Sequence, residues 1–186
     1  MRIVYDASAK TFPNALCLND CLETGPNLLQ QIPATILAFR AHPIAFSADI
    51  EKAFLQIELD EADRDATRFL WLKDPQRRAS EDNLQVFRFK RVLFGASPSP
   101  FLLEATIQHH LKLRTNWVAQ DLIGTIYMDN VLSGTTSTNT AQDYYRTSRK
   151  IIEEAGMNLR QWTTNSKDFN PFSASCIFKF SQSEPI

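Results

Sequence analysis

Two short acidic strings carry the clearest chemical potential in this chain. Asp49 closes the apolar run Ile44-Ala45-Phe46-Ser47-Ala48 and opens Asp-Ile-Glu-Lys-Ala-Phe; Asp129 lies in Tyr-Met-Asp-Asn, between two short apolar arms. Each aspartate ends an apolar stretch at a turn. Carboxylates in such places are most often plain solvated turn residues. Two of them on adjacent strands of one sheet do more, because they supply the hard oxygen donors that Mg²⁺ takes. Such a pair can hold two ions about 3.5–4 Å apart and stabilise both the attacking and the leaving oxygen of a phosphoryl transfer.

Those strings need elements to position them. Ile44, Phe46 and Ala48 alternate with Ala45, Ser47 and Asp49, the pattern of a buried strand that delivers a carboxylate at its C-terminal end. The preceding IPATILAFR reads as a helix with Pro33 in its first turn, stopped by His42-Pro43. Asp60 to Arg68 reads as a short helix capped by Asp60. RFLWL and LQVFRFKRVLF form an expected antiparallel pair about the polar connector KDPQRRASEDN. FLLEATIQHHLKLR is a helix started by Ser97 or Ser99, and Gly124 and Gly134 bracket TIYMDNVLS as a hairpin with an acidic tip. TNTAQDYYRTSRKIIEEAG is a helix with a Thr or Asn cap and Gly156 as its stop. The expected order is β–α–β–α–ββ–α–ββ–α, an α+β fold with an antiparallel sheet backed by helices.

Composition sets the outer bounds. A chain of 186 residues with 44% hydrophobic and 22% charged residues can bury a core, which excludes collagen-like, disulfide-rich and charge-driven disordered classes. The net charge of −1 points to no partner, and by itself weighs against a nucleic-acid binder. Cys17, Cys21 and Cys176 are too few and too irregularly spaced for a zinc site, and fit reduced thiols. No signal sequence and no membrane-length apolar run occurs, so the expectation is an intracellular protein, cytoplasmic or nuclear, not secreted and with no membrane partner.

Taken together, the motifs resemble a known family. FSADIEKAFLQI is similar to motif A of reverse transcriptases, VLFGASPSPFLL to motif B and TIYMDNVLSG to motif C, with RIVYDAS and LND similar to an upstream fingers motif. The wording of RIVYDAS, TGPNLL, DRDATRFLW and NLRQW is most similar to BEL/Pao-type LTR retrotransposons, over roughly residues 1–167. The resemblance implies a right-hand polymerase palm with partial fingers and the thumb absent. It divides the chain into partial fingers (1–45), palm (46–167) and an unassigned, degenerate tail (168–186). It implies an RNA-directed DNA polymerase that adds a dNTP to a primer 3′-hydroxyl, with two Mg²⁺, or Mn²⁺, as cofactors. Asp49, Asp129 and Asn130 would be catalytic; Asp49, Asp129 and the Ile50 carbonyl would hold metal. Arg2, Phe54, Phe94 and Gly95 would bind the nucleotide, Phe54 as a steric gate against a ribose 2′-hydroxyl. Tyr127 and Met128 would lie near the primer end. The implied partners are an RNA or DNA template–primer, dNTP and the rest of a retroelement polyprotein, housed in a virus-like particle.

Some readings stay open. Phe54 and Tyr127 also read as core aromatics, Arg2 as a frayed terminus, and Arg88, Lys90 and Arg91 as a solvated strand face or phosphate contacts. His109 and His110 diverge on a helix and are not expected to be ligands. Arg160 or Lys167 is the candidate proton donor of motif D. Two departures stand out: Asn130 replaces the second aspartate of motif C, and Leu93 replaces the proline before Phe-Gly. The amide removes one charge beside the metals, so an inactive truncated remnant is the alternative reading. A palm polymerase that makes RNA is a third, against which Phe54 argues.

Overall fold

The computed structural model describes residues 5–169; Arg2, Cys176 and the Ser/Phe-rich tail beyond residue 169 lie outside them. The architecture is mixed α and β with antiparallel sheets. A four-stranded sheet is built from β1 (Ile44–Ile50), β4 (Ile126–Tyr127), β5 (Asn130–Thr135) and β6 (Leu159–Thr164), in the order β4-β5-β1-β6. A separate ribbon pairs β2 (Arg68–Leu72) with β3 (Leu84–Arg88). Helices α3 (Ser99–Lys112), α4 (Trp117–Thr125) and α5 (Thr138–Glu154) complete the core, with α4 packed on α3, α5 and β5. Helix α1 (Ile32–Ala41) leads into β1, and α2 (Ala53–Gln56) follows it.

The alternation in β1 does what its sequence requires. Phe46, Ala48 and Ile50 are buried, while Ser47 and Asp49 remain partly accessible on the other face. Phe46 is the hub of an aromatic cluster, with ring centroids 4.9 Å from Tyr144 and 5.7 Å from both Trp162 and Phe169. The core therefore continues to Phe169, at the start of the segment expected to be unassigned. Helix α5 presents Ala141, Tyr144, Ser148, Ile151 and Ile152 along one stripe. Its start is capped by Ser137, whose hydroxyl accepts from the Thr140 N–H at 3.2 Å, and not by the Thr or Asn expected. It stops as expected at Gly156 (φ 74°): the Gly156 N–H donates to Glu153 O and the Met157 N–H to Ile152 O, a Schellman motif.

Several expectations are corrected. No strand precedes α1 among the described residues, which begin at residue 5, and three elements were missed: the short α2 after β1, α4 before the hairpin and β6 after α5. Gly124 and Gly134 do not bracket the hairpin: Gly124 is inside α4 and Gly134 inside β5. The Asp60–Arg68 helix is instead a pair of turns ending in a 3₁₀ segment (Arg64–Thr67). Asp60 Oδ1 accepts from the Ala62 N–H at 3.0 Å, a local closure that competes with a helix start. The strand through LQVFRFKRVLF ends at Arg88, because the Phe89 N–H bonds to the Thr67 hydroxyl rather than to a ladder. Neither Ser97 nor Ser99 caps α3. Ser99 is its first residue and donates its hydroxyl to Leu93 O, while the Ser97 N–H donates to Asn19 Oδ1.

Candidate active site

Strand register brings the two sequence-distant acidic strings together. Asp49 on β1 pairs directly with Asn130 on β5, and the Ile50 N–H donates to Asp129 O at 2.7 Å. Asp129 is the second residue of a two-residue turn, Met128-Asp129, that joins Tyr127 to its partner Asn130. Positive φ falls on Met128 alone (φ 55°), the first turn position, which tight hairpins usually give to glycine. Keeping a methionine there costs of order 1 kcal/mol, the kind of local strain that collects at functional sites.

The electrostatics follow from the crowding. Burial, then the charge of Asp129, push the Asp49 carboxyl above its ordinary range, and the Arg160 guanidinium pulls the other way. Arg160 lies opposite Asp49 on β6; its Nε is 3.6 Å from Asp49 Oδ2 and its Nη1 3.1 Å from Glu51 Oε1. Glu51 is held below its ordinary range, first by the Asn158 side-chain N–H at 3.0 Å and then by Arg160. Asn130 donates its side-chain N–H to Asp129 Oδ1 at 2.8 Å. It presents an amide N–H to the carboxylate, where a second aspartate would have presented charge.

Divalent cations fit this donor set in kind. Mg²⁺ asks for one or two carboxylates with the remaining oxygens from water and phosphate, and Asp49 with Asp129 offers that. No cluster of three or more His, Cys, Asp or Glu suited to a metal occurs among the described residues.

The other expected residues group as follows. Phe54 is the second residue of α2, one turn beyond Asp49, and is buried; its ring packs edge-on against Phe94 at 4.8 Å, and Phe94 is half exposed. Phe54 is thus a core residue with an exposed aromatic neighbour. Gly95 has φ 84°, and the adjoining loop is pinned by a residue given no role in the sequence reading. Asn19 donates to Gly95 O at 2.9 Å and accepts from the Ser97 N–H at 2.8 Å. Its position in LND was the available signal. Tyr127 and Met128 sit partly buried at the hairpin. Arg88 is tied to Asp65 (2.9 Å) and Glu61 (3.1 Å), and Arg91 lies 3.9 Å from Glu58, so these two spend their charge on neighbouring acids. His110 bonds the Ile151 carbonyl at 2.7 Å, whereas His109 is exposed. Cys17 and Cys21 are free thiols.

The family model for reverse transcriptase (RNA-dependent DNA polymerase) matches residues 20–162, from the LND segment through Trp162 of β6. The chain belongs to the reverse transcriptase family. No curated protein matches it. The matched region of this reverse transcriptase domain contains Asp49, Asp129, Asn130 and Arg160, together with the antiparallel sheet that collects them. Membership brings the family's ligands, a nucleic-acid template–primer and deoxynucleoside triphosphates. The near-neutral composition was therefore a poor guide to partners. No helix among the described residues is long and apolar enough to cross a membrane.

Proposed function

We propose that this domain is the palm, with part of the fingers, of a BEL/Pao-type retrotransposon reverse transcriptase, and that Asp49 and Asp129 carry its nucleotidyl transfer. The observation that supports this most is the β1–β5 register, which sets Asp49 opposite Asn130 and beside Asp129 within the family match. Asp49, Asp129 and the Ile50 carbonyl would hold divalent metal, Mg²⁺ or Mn²⁺. Bound there, it would act as a Lewis acid on the phosphate oxygens.

The protein's own share is positioning. The rigid β1 end and the tight β4–β5 turn fix two carboxylates, and such preorganisation spares their rearrangement when charge develops on the phosphate. Phe94, with Phe54 packed beneath it, offers an apolar surface for the sugar of the incoming nucleotide, and the glycine at position 95 lets the backbone come close. A second reading, an inactive remnant, has one observation in its favour: the Asn130 amide occupies Asp129 Oδ1.

Extension of a DNA primer on RNA and on DNA templates, with each dNTP and with Mg²⁺ or Mn²⁺, separates the two. The proposal expects incorporation that Asp129→Ala abolishes; no incorporation with either metal favours the remnant. In an active preparation, Phe54→Ala should admit ribonucleotides, and continued rejection would remove the steric role from that residue.

A further inference from the structure

Next to the two aspartates, the sheet carries a cation of its own. Asp49 lies at the end of β1 and Glu51 just past it, and Arg160 spans both, with Nη1 3.1 Å from Glu51 Oε1 and Nε 3.6 Å from Asp49 Oδ2. That Nε is buried and has no hydrogen-bond partner. The guanidinium is therefore anchored on Glu51 and stands within ion-pair distance of Asp49.

Two features of the backbone keep it there. Between the pairs Ser47↔Thr163 and Asp49↔Arg160, β6 carries one more residue than β1, and within this bulge Gln161 takes φ 52°. A bulge re-aims the side chains beside it. Here Trp162 stays in the core while Arg160 stays on the carboxylate side. Glu51 is clamped in turn: its N–H donates to Asn158 O at 2.8 Å, and its Oε2 accepts from Asn158 Nδ2 at 3.0 Å. The guanidinium thus divides its charge between the two carboxylates, with its closer contact to Glu51.

We infer that Arg160 is a positioning residue that serves as counter-charge to Asp49 and sets how tightly the site takes a divalent cation, with Glu51 restraining the guanidinium from closing on Asp49. The inference rests on the proposed metal role of Asp49 and Asp129. Arginine keeps its proton throughout the accessible pH range, so it acts here as a fixed charge and not as a proton donor. The same positive charge that compensates Asp49 repels a divalent ion arriving there. Glu51 draws that charge aside and keeps Asp49 available.

Binding of Mn²⁺ alone to the metal-free chain, followed by electron paramagnetic resonance, tests this without any turnover. Arg160→Gln should tighten Mn²⁺ binding about three- to fivefold, the upper scale of a partly exposed ion pair. Arg160→Lys, which keeps the charge, should stay within about twofold of the parent. Glu51→Gln should weaken binding in the parent and have a much smaller effect in the Arg160→Gln background, because its action runs through the guanidinium. Unchanged or weaker binding in Arg160→Gln would overturn the inference, as would an equal loss from Glu51→Gln in both backgrounds. If Asp49→Ala and Asp129→Ala bind Mn²⁺ as the parent does, the metal site itself falls and the inference falls with it. Loss of binding in those two variants with no response to Arg160→Gln would overturn the inference alone.

Discussion

Gly134→Ala puts the β1–β5 pairing under direct strain. Gly134 lies opposite Ala45 in the ladder that also sets Asp49 against Asn130. A Cβ at this position would lie 2.5 Å from His42 Cβ, 2.7 Å from His42 Cγ and 2.7 Å from Ile44 O. None of those atoms is the free end of a flexible side chain, so relief requires moving the α1–β1 junction or parting the two strands. Overpacking of this kind costs typically about 1–3 kcal/mol. For a chain of this size each kcal/mol lowers Tm by about 2–4 °C, giving a fall of roughly 2–12 °C. Urea unfolding followed by circular dichroism gives the cost directly, provided the m-value is unchanged. His42→Gly removes two of the three close contacts, so the two changes together should cost less than their sum, by about 1 kcal/mol or more. A loss below about 0.5 kcal/mol for Gly134→Ala, or strict additivity with His42→Gly, would refute the steric reasoning.

Phe46→Ala removes the hub of the aromatic cluster and should cost about 3–5 kcal/mol in chemical unfolding. Asn19→Ala should lower stability by about 0.5–1.5 kcal/mol, since it removes the partner of the Gly95 carbonyl and the Ser97 N–H, and, on the nucleotide-binding role proposed for Gly95, should raise KM for dNTP. Glu104 is buried with Oε2 unpartnered, and burial raises its carboxyl above the ordinary range. The folded state therefore holds this proton more tightly than the unfolded chain. Its stabilising contribution is complete below the ordinary glutamate pKa and is lost as pH rises through the elevated folded value. Glu104→Gln should accordingly be more stabilising at pH 8 than at pH 4, measured by urea unfolding at the two pH values, and an equal effect at both would contradict it.

Much of the site was legible because its positioning is local. The period-two pattern of Ile44–Asp49 fixes which β1 residues enter the core, and Tyr-Met-Asp-Asn between apolar arms is a hairpin tip on its own evidence. Helix α4 was not legible. Its glycine at position 124 lowers helix propensity, and its apolar run merges with that of β4, so packing of Val118, Ala119 and Leu122 decides the outcome. Strand β6 escaped because its bulge at Gln161 breaks the alternation that marks a strand. The same bulge hid the neighbour of Asp49: no local pattern says that Arg160 will lie across from it, since that pairing exists only in the tertiary register. Asn19 was quoted within a motif, but its partners lie in the Gly95 loop, which only the fold brings near.

On the proposed function, Asp49 and Asp129 act as one unit in nucleotidyl transfer. Single-nucleotide incorporation into an annealed primer, measured under single-turnover conditions in Mg²⁺, tests it most directly with Asp49→Asn, Asp129→Asn and the double variant. Each single change should slow incorporation at least about a thousandfold, on the order of 4 kcal/mol, and the double variant should be hardly slower than either. Incorporation by either single variant at a tenth or more of the parent rate would contradict it.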